Sequence, residues 1–467
     1  MKKFTFFVFL LLAFQTKAQV SQFASFGQMF NMDSTNSLAA KVGLTTIGGE
    51  TFIGLRLQPE IAFGKWAVGM SLPVMFSLKN FSFRNEEYKQ GSGGFRLFNY
   101  IRYGVKKRDD IYFKWGSISG ERIGFGSLIN NYTNSSSFER RKVGLSYDVL
   151  LFKMFGVEGF YSDIESSSLN LFAIRPYFKP FGKTETPLLK SLEIGLTYIK
   201  DKDATLTQLN DSTRVQNVFA TQGDMSAWGL DIGMNVVNSQ MLQIQGFMQY
   251  SQLGKNESDS LNKYLGNLSS LSLKDFASGY KSGSGFSLGV NLKLNLIAQL
   301  LTLDARLERQ FYSNYYLPQF FDAVYEINKD QKIASLATAQ SKQGTYGTVA
   351  ATILNKITIG GGLLLPDSPS ETQPALVQLS LDGSKLMDKL ILRGSYLRGG
   401  ITDLSDAFKF DERSLASLDA AYQIKPYLSV GLTYLWTYAK AENGSFKAAS
   451  YMSPYFNFSL PIFGDKK

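Results

Sequence analysis

The sequence predicts an all-β fold, a transmembrane up-and-down antiparallel β-barrel of about 20 strands (roughly 16–20), with short periplasmic turns and long outer loops. Three observations predict it. Apolar and polar residues alternate along most of the 467 residues, a leader stands at the N-terminus, and the links between segments alternate short and long.

The alternation is clearest from Phe286 to Asn295. There Phe286, Leu288, Val290, Leu292 and Leu294 interleave with Ser287, Gly289, Asn291, Lys293 and Asn295. Strand side chains point alternately to two faces, so a wall between hydrocarbon and water is written with this period. One such stretch also fits a half-buried strand of a soluble sandwich. Lys142 to Val149, Leu192 to Tyr198, Trp228 to Val236, Leu301 to Glu308 and Ser429 to Tyr438 repeat the rhythm, with Leu435 out of pattern. Their charges fall almost wholly on the polar face. Lys or Arg at mid-bilayer on the lipid face would cost about 2–4 kcal/mol. The Gly, Ser, Thr and Asn of the polar face suit a water-filled or narrowly packed lumen. Aromatics gather at segment ends, in Tyr434 to Tyr438 and Phe456 to Phe463, where interfacial girdles belong.

Tight links fall at 63–65, 152–154, 237–239, 296–299, 354–356 and 424–426. Longer polar links fill 78–94, 118–139, 201–224, 253–279, 311–343 and 399–412. Outer-membrane barrels have short periplasmic turns and long outer loops. Segments counted from Glu50 to Phe463 are odd in number, while a barrel with both termini in the periplasm needs an even one. Ser37 to Thr46, which alternates poorly, is the segment that repairs the parity. A soluble sandwich or propeller is the alternative, but neither requires so regular a link pattern, and no blade-like repeat is present.

In the leader, Lys2 and Lys3 precede an apolar run from Phe4 to Phe14 that is too short to remain as a span. Thr16-Lys17-Ala18 then offers a small-x-small cleavage site. The expected organisation is a signal peptide over 1–18, an N-terminal periplasmic segment over 19–36, the barrel over 37–463 and a tail over 464–467. After Ala18 no run reaches the ~18 apolar residues of a membrane helix. A mean hydropathy of −0.09 agrees with strands that are polar on one face.

The chain has no His and no Cys. That removes His-based nucleophile systems, thiol redox motifs and nearly all zinc sites, and it argues against an enzyme. No catalytic, cofactor or metal set is expected. The formal charge is +10, but the cations are scattered rather than blocked, which argues against nucleic acid as a partner.

Arg122 to Asn134 breaks the strand rhythm with Gly124, Gly126, Asn130, Asn131 and Tyr132. Glycines permit close backbone approach, while amides and Tyr supply adaptable hydrogen bonds. An inward loop that constricts the pore and an ordinary outer loop are both open. Link 311–343, with Tyr315, Tyr316, Phe320, Phe321 and Tyr325, is too aromatic to be purely solvated. It reads as a plug or as a folded outer lid, with a short helix after Pro318. On the polar faces stand Arg96, Arg102, Lys142, Asp148, Glu193, Asp231, Asp304, Arg306 and Glu308. They form either a selectivity ladder or, as the mixed signs favour, an internal ion-pair network. Gly283-Ser284-Gly285 opens like a dinucleotide-binding motif, but Leu288 replaces the third glycine and a strand follows, so a flexible loop end is expected.

Leu55 to Trp66, Tyr100 to Gly104, Gly124 to Gly126 with Asn130 to Tyr132, Arg141 to Leu145, and Leu317 to Glu326 are spread over most of the chain. In these stretches it resembles a family of large bacterial outer-membrane barrels found especially in the Bacteroidetes. The resemblance implies location and architecture but no solute. In that family a His often occupies the position of Phe125. Barrels usually end on an aromatic, whereas Phe463 is followed here by Gly464 to Lys467. Phe456, Phe458 and Phe463 are then the expected signal for the barrel-assembly machinery.

Three functions follow as expectations. The first is a porin-like passive channel for small solutes. The second is a closed structural or secretion-associated barrel that binds protein partners through its loops, and the third, least favoured, is an outer-membrane enzyme. Outer-membrane lipid, the assembly machinery and a small-molecule solute are the expected partners.

Overall fold

The computed structural model describes residues 37–47, 50–85, 88, 97–134, 142–164, 171–202, 224–255, 282–296, 300–326, 329, 332, 336, 339–370, 374–383, 389–410, 414–440 and 446–461. Arg96, the leader, the 19–36 segment, Phe463 and the tail lie outside them. Within them, 21 β-segments belong to one sheet. They begin with β1 (Ser37–Ile47), β2 (Glu50–Phe63), β3 (Trp66–Met70), β4 (Leu72–Ser77), β5 (Phe98–Tyr103), β6 (Ile111–Gly116) and β7 (Gly144–Leu151). Next come β8 (Phe155–Tyr161), β9 (Leu171–Phe178), β10 (Glu193–Asp201), β11 (Met225–Asn238), β12 (Leu242–Lys255), β13 (Ser282–Leu296) and β14 (Leu301–Tyr312). The last are β15 (Lys342–Ile353), β16 (Ile357–Pro366), β17 (Ala375–Asp382), β18 (Leu390–Ile401), β19 (Ser414–Lys425), β20 (Leu428–Lys440) and β21 (Phe446–Pro461).

β2 pairs with β3 through Glu60 to Phe63 and with β4 through Phe52 to Leu57, so β3 and β4 are two halves of one stave interrupted at Ser71. The 21 segments therefore make twenty staves. Each pairs antiparallel with its neighbours in sequence, and β1 also pairs with β21, Ser37 opposite Pro461 and Gly43 opposite Tyr455. The segment whose alternation is weakest is thus the seam. Ladder bonds along both edges hold it there, as they hold every stave of the closed sheet. Gly43 is needed at this seam, because a Cβ there would lie 2.0 Å from the Pro454 carbonyl oxygen.

Leu196, Leu230, Met248, Leu288, Val290 and Leu307 are exposed on the outer face, while Thr197, Asp231, Gln249, Ser287, Asn291 and Glu308 on alternate positions are buried inside. A closed ladder with an apolar outer belt is the geometry of a membrane-spanning barrel. Aromatic girdles mark both rims. On the short-turn side Trp66 packs on Tyr103 with ring centroids 5.1 Å apart, and Phe155 on Phe178 at 5.0 Å. On the long-loop side Tyr161 meets Phe172 at 5.7 Å and Trp228 meets Tyr250 at 5.3 Å.

The tight turns at 64–65, 152–154, 354–356 and 426–427 share one end, as expected. That end also carries longer links over 104–110 and 179–192, so shortness is not its rule. The first of them folds into the barrel, and the second makes a helical turn at Pro187–Lys190. Link 402–413 is likewise no free outer loop. Arg398 and Tyr396 lie on the outward parity of β18, opposite Val377 and the exposed Leu379. The link folds back over them: Tyr396 OH donates to the Lys409 carbonyl at 2.8 Å, and Arg398 Nη1 to the same oxygen at 2.9 Å. A guanidinium on the outer face is covered in this way rather than left facing lipid.

The outer assignment of β13 is testable. Val290→Arg should destabilise the protein folded in lipid vesicles by about 2–4 kcal/mol in a denaturant titration. No measurable loss would contradict the placement of Val290 in hydrocarbon.

Candidate functional site

A barrel of this width cannot be filled by wall side chains alone. Two links enter it from the long-loop end. In link 117–134, Glu121 and Tyr132 exchange backbone hydrogen bonds, both 2.9 Å, and Ile118, Ile123, Leu128, Ile129 and Tyr132 are buried. Link 313–341 joins it main chain to main chain. Gln319 N–H donates to the Ser127 carbonyl at 2.8 Å and Phe321 N–H to that of Leu128 at 3.0 Å. Phe320, Phe321, Tyr325 and Leu336 then pack with Phe160, Leu171, Ile199, Met225 and Leu253 of the wall. Toward this end the inner face is therefore apolar, and the 311–343 link is a plug rather than an outer lid. Its helical residues begin at Tyr325, not directly after Pro318. Gln319, in the left-handed region with φ 50°, and the bridge to the first loop occupy the intervening chain. Gly283 makes room for the plug, since a Cβ there would lie 2.1 Å from the Tyr315 carbonyl oxygen. It belongs to β13 and is not a loose loop end.

Beneath the apolar packing lies a layer of charge. Arg175 on β9 is fully buried; its Nη1 donates to Glu158 and to Glu193 at 2.8 Å each, and its Nε to Asp231 at 2.9 Å. Link 104–110 reaches in from the short-turn end and adds Lys107, 3.0 Å from Glu158, and Lys106, which pairs with Glu121. Asp148 accepts from Tyr177 OH at 2.8 Å. Gly124, with φ 57°, donates its N–H to Glu158 at 3.1 Å. A Cβ on Gly124 would lie 2.9 Å from the Asp231 carboxylate, so its close approach serves the network. Gly126, with φ 86°, turns the loop tip beside Phe125. Phe125 stacks on Phe247 at 4.9 Å, and Arg306 covers the other ring at 4.4 Å while pairing with Glu308.

The remaining sequence-predicted residues are distributed more widely. Asn130 is buried and donates to Gln319 at 3.0 Å and to Tyr346 OH at 2.9 Å. Lys142 bonds Glu326 at 2.5 Å, and Tyr132 OH donates to the same carboxylate. Asp304 lies 3.8 Å from Lys293 and takes no part in the Arg306 pair. Arg102 stands on β5 opposite Lys114. Sequence reasoning missed Arg175, Glu158, Lys106, Lys107 and Glu121. For Arg175 the signal existed, because Leu171, Ala173, Arg175 and Tyr177 occupy alternate positions of one stave.

The plug does not reach the whole wall. Between its Ser119, Gly120, Asn131 and Thr133 and the inner faces of β17 to β19 lies a cavity of about 340 Å³, lined on the wall side by Gln378, Ser380, Asp382, Arg393, Ser395 and Ser417. A second cavity of about 200 Å³ lies at the seam, lined among others by Lys41, Arg56, Met75, Thr433, Ser453 and Tyr455. Leu435, out of pattern in the sequence, lines this second space. Of the predicted residues only Asn131 faces the open side, where its Nδ2 reaches Gln378 at 3.5 Å.

No family model matches this sequence, and none of the curated proteins does. Several solved structures are similar to it. OprD of Pseudomonas aeruginosa shows 11% identity, with 95% of this chain and 100% of that one covered and a TM-score of 0.36. OccD3 (OpdP) of the same organism shows 11% identity, with 94% and 95% covered and a TM-score of 0.35. Wzi of Escherichia coli, a carbohydrate-binding β-barrel involved in group 1 capsule assembly, shows 11% identity, with 93% and 86% covered and a TM-score of 0.35. Likeness at this level does not reach solute or partner.

Two predictions follow from the plug. Arg175→Met leaves three carboxylates without their guanidinium and should cost about 3–5 kcal/mol in denaturant unfolding. An unchanged stability would show that the network is not what holds this layer. The second concerns pH. Burial alone raises the Glu326 carboxyl, but Lys142, and after it the Tyr132 hydroxyl, outweigh burial and hold the group below its ordinary value. A depressed folded-state pKa gives stability that is present above the ordinary carboxylate range and is lost as pH falls through the folded value. Acidification below about pH 4 should therefore lower the Tm of the wild type more than that of Glu326→Gln. Identical Tm profiles would show that the Lys142–Glu326 contact does not stabilise the folded protein.

Proposed function

We propose that the protein is a porin-like outer-membrane channel that passes small solutes through an eccentric polar passage between the plug and the wall from β17 round to β4. The observation that carries this is the pair of cavities on the unplugged side, where polar and charged side chains stand among apolar ones. Open space with polar groups along one wall of an otherwise packed barrel admits small polar molecules and excludes large ones. The exposed Phe456 and Phe458 on the outer face of β21 fit the role of an assembly signal, and the resemblance to large Bacteroidetes barrels fits an outer-membrane location.

A second reading, the closed barrel that binds protein partners through its loops, draws support from the density of the filled side. Arg175, Phe320, Phe321 and Tyr325 are fully buried there. Purified protein in planar bilayers separates the two. The channel reading expects stable currents of small unit conductance, rising several-fold when residues 122–131 are replaced by a short Gly-Ser linker. Electrical silence in both proteins, with normal folding, would favour the closed scaffold.

A further inference from the structure

In the filled side, the buried basic side chains around Arg175 each meet a carboxylate. At the seam Lys41 is different. Lys41 on β1 and Arg56 on β2 are direct register partners and both line the cavity of about 200 Å³. Among the described residues no carboxylate lies within ion-pair distance of the Lys41 ammonium; its contact is the face of the Tyr455 ring, 4.4 Å from the centroid. The carboxylate across from it, Asp419, already accepts from Thr433 Oγ1 at 3.0 Å and from Tyr455 OH at 2.8 Å. Arg393 lines the neighbouring cavity and is held by Asp382 only at 3.9 Å.

Three cations thus border one continuous stretch of inner wall against two carboxylates, Asp419 and Asp382, and among the described residues neither carboxylate is in ion-pair contact with the half-buried Lys41 ammonium. In a confined space of low dielectric, that arrangement raises the local concentration of anions. The hydroxyls of Thr433 and Tyr455, which donate to Asp419, and of Ser453, which donates to the Leu44 carbonyl, stand round the same cavity and keep lone pairs that accept from a ligand's hydroxyl substituents. We infer that the seam cavity is a binding site for small oxyanions, carboxylate or phosphate, with Lys41 and Arg56 as the recognising pair and Arg393 as the next cation along the path. The inference rests on the channel reading for its role in permeation, but the site itself can be tested without it.

The experiment has two arms. In planar bilayers under a potassium chloride gradient, the wild type should favour anions. Lys41→Gln combined with Arg56→Gln should lower the anion-to-cation permeability ratio several-fold while currents persist, and Lys41→Arg should retain it. Cation preference in the wild type, or a ratio unchanged in the double variant, would overturn the inference and leave the channel standing. In detergent, titration calorimetry with succinate and with inorganic phosphate reads the site even where no current is seen. Binding weakened about tenfold or more in the double variant supports it. Succinate alone or phosphate alone binding identifies which oxyanion it takes, and binding of neither overturns it. Heat-modifiable mobility on a gel confirms folding; should the double variant fail that check, the single Lys41→Gln protein is read in both arms.

Discussion

In hydrocarbon, a wall's backbone N–H and C=O groups have no water to turn to, so every stave needs a partner on both edges. The pairing of β1 with both β2 and β21 meets that requirement and fixes the barrel at twenty staves. Width then dictates the interior. Twenty staves enclose more space than their side chains can occupy, so chain must be brought in to fill it. The plug, its apolar packing and the charged layer beneath it are consequences of closing the seam.

The filled interior is held from both ends. Links 117–134 and 313–341 come from the long-loop side and join main chain to main chain, and link 104–110 comes from the other side and meets link 117–134 on Glu121 and Glu158. Buried ion pairs are weak contributors to net stability, but removing one member leaves a stranded charge. Their effect here is to make one arrangement of three links far better than its alternatives. On the unplugged side the wall of β17 to β19 and of the seam lines open space.

Much of the wall was legible in the sequence. Val290 and its alternating neighbours, and the turns at 152–154 and 354–356, follow from period-two patterning and link length. The seam stave was legible only through parity, because Ser37 to Thr46 alternates poorly. The interior was harder to read. Ile199, Met225 and Leu253 face inward although apolar, since they meet the plug rather than water, and no local rule distinguishes that from a lipid-facing position. The loop tip at Gly124 was recognised as a place of close approach, but what it approaches is Arg175 and Asp231, distant in sequence. Lys106 and Lys107 sit in a link that looks solvated. Lys41, which borders the open side, lies in the stave where alternation says least, whereas Arg56 stands on the polar face of an alternating one, between Leu55 and Leu57.

The central claim is that one side of the barrel interior is packed and the other open to solutes. The chain contains no cysteine, so single cysteines report on it without background. The decisive measurement is the rate at which a small, charged thiol reagent labels Ser395→Cys and Ser417→Cys on the cavity wall, against Ser146→Cys and Ser251→Cys beneath the plug, in folded protein. The account predicts rapid labelling of the first pair and protection of the second. Equal rates at all four positions would contradict it.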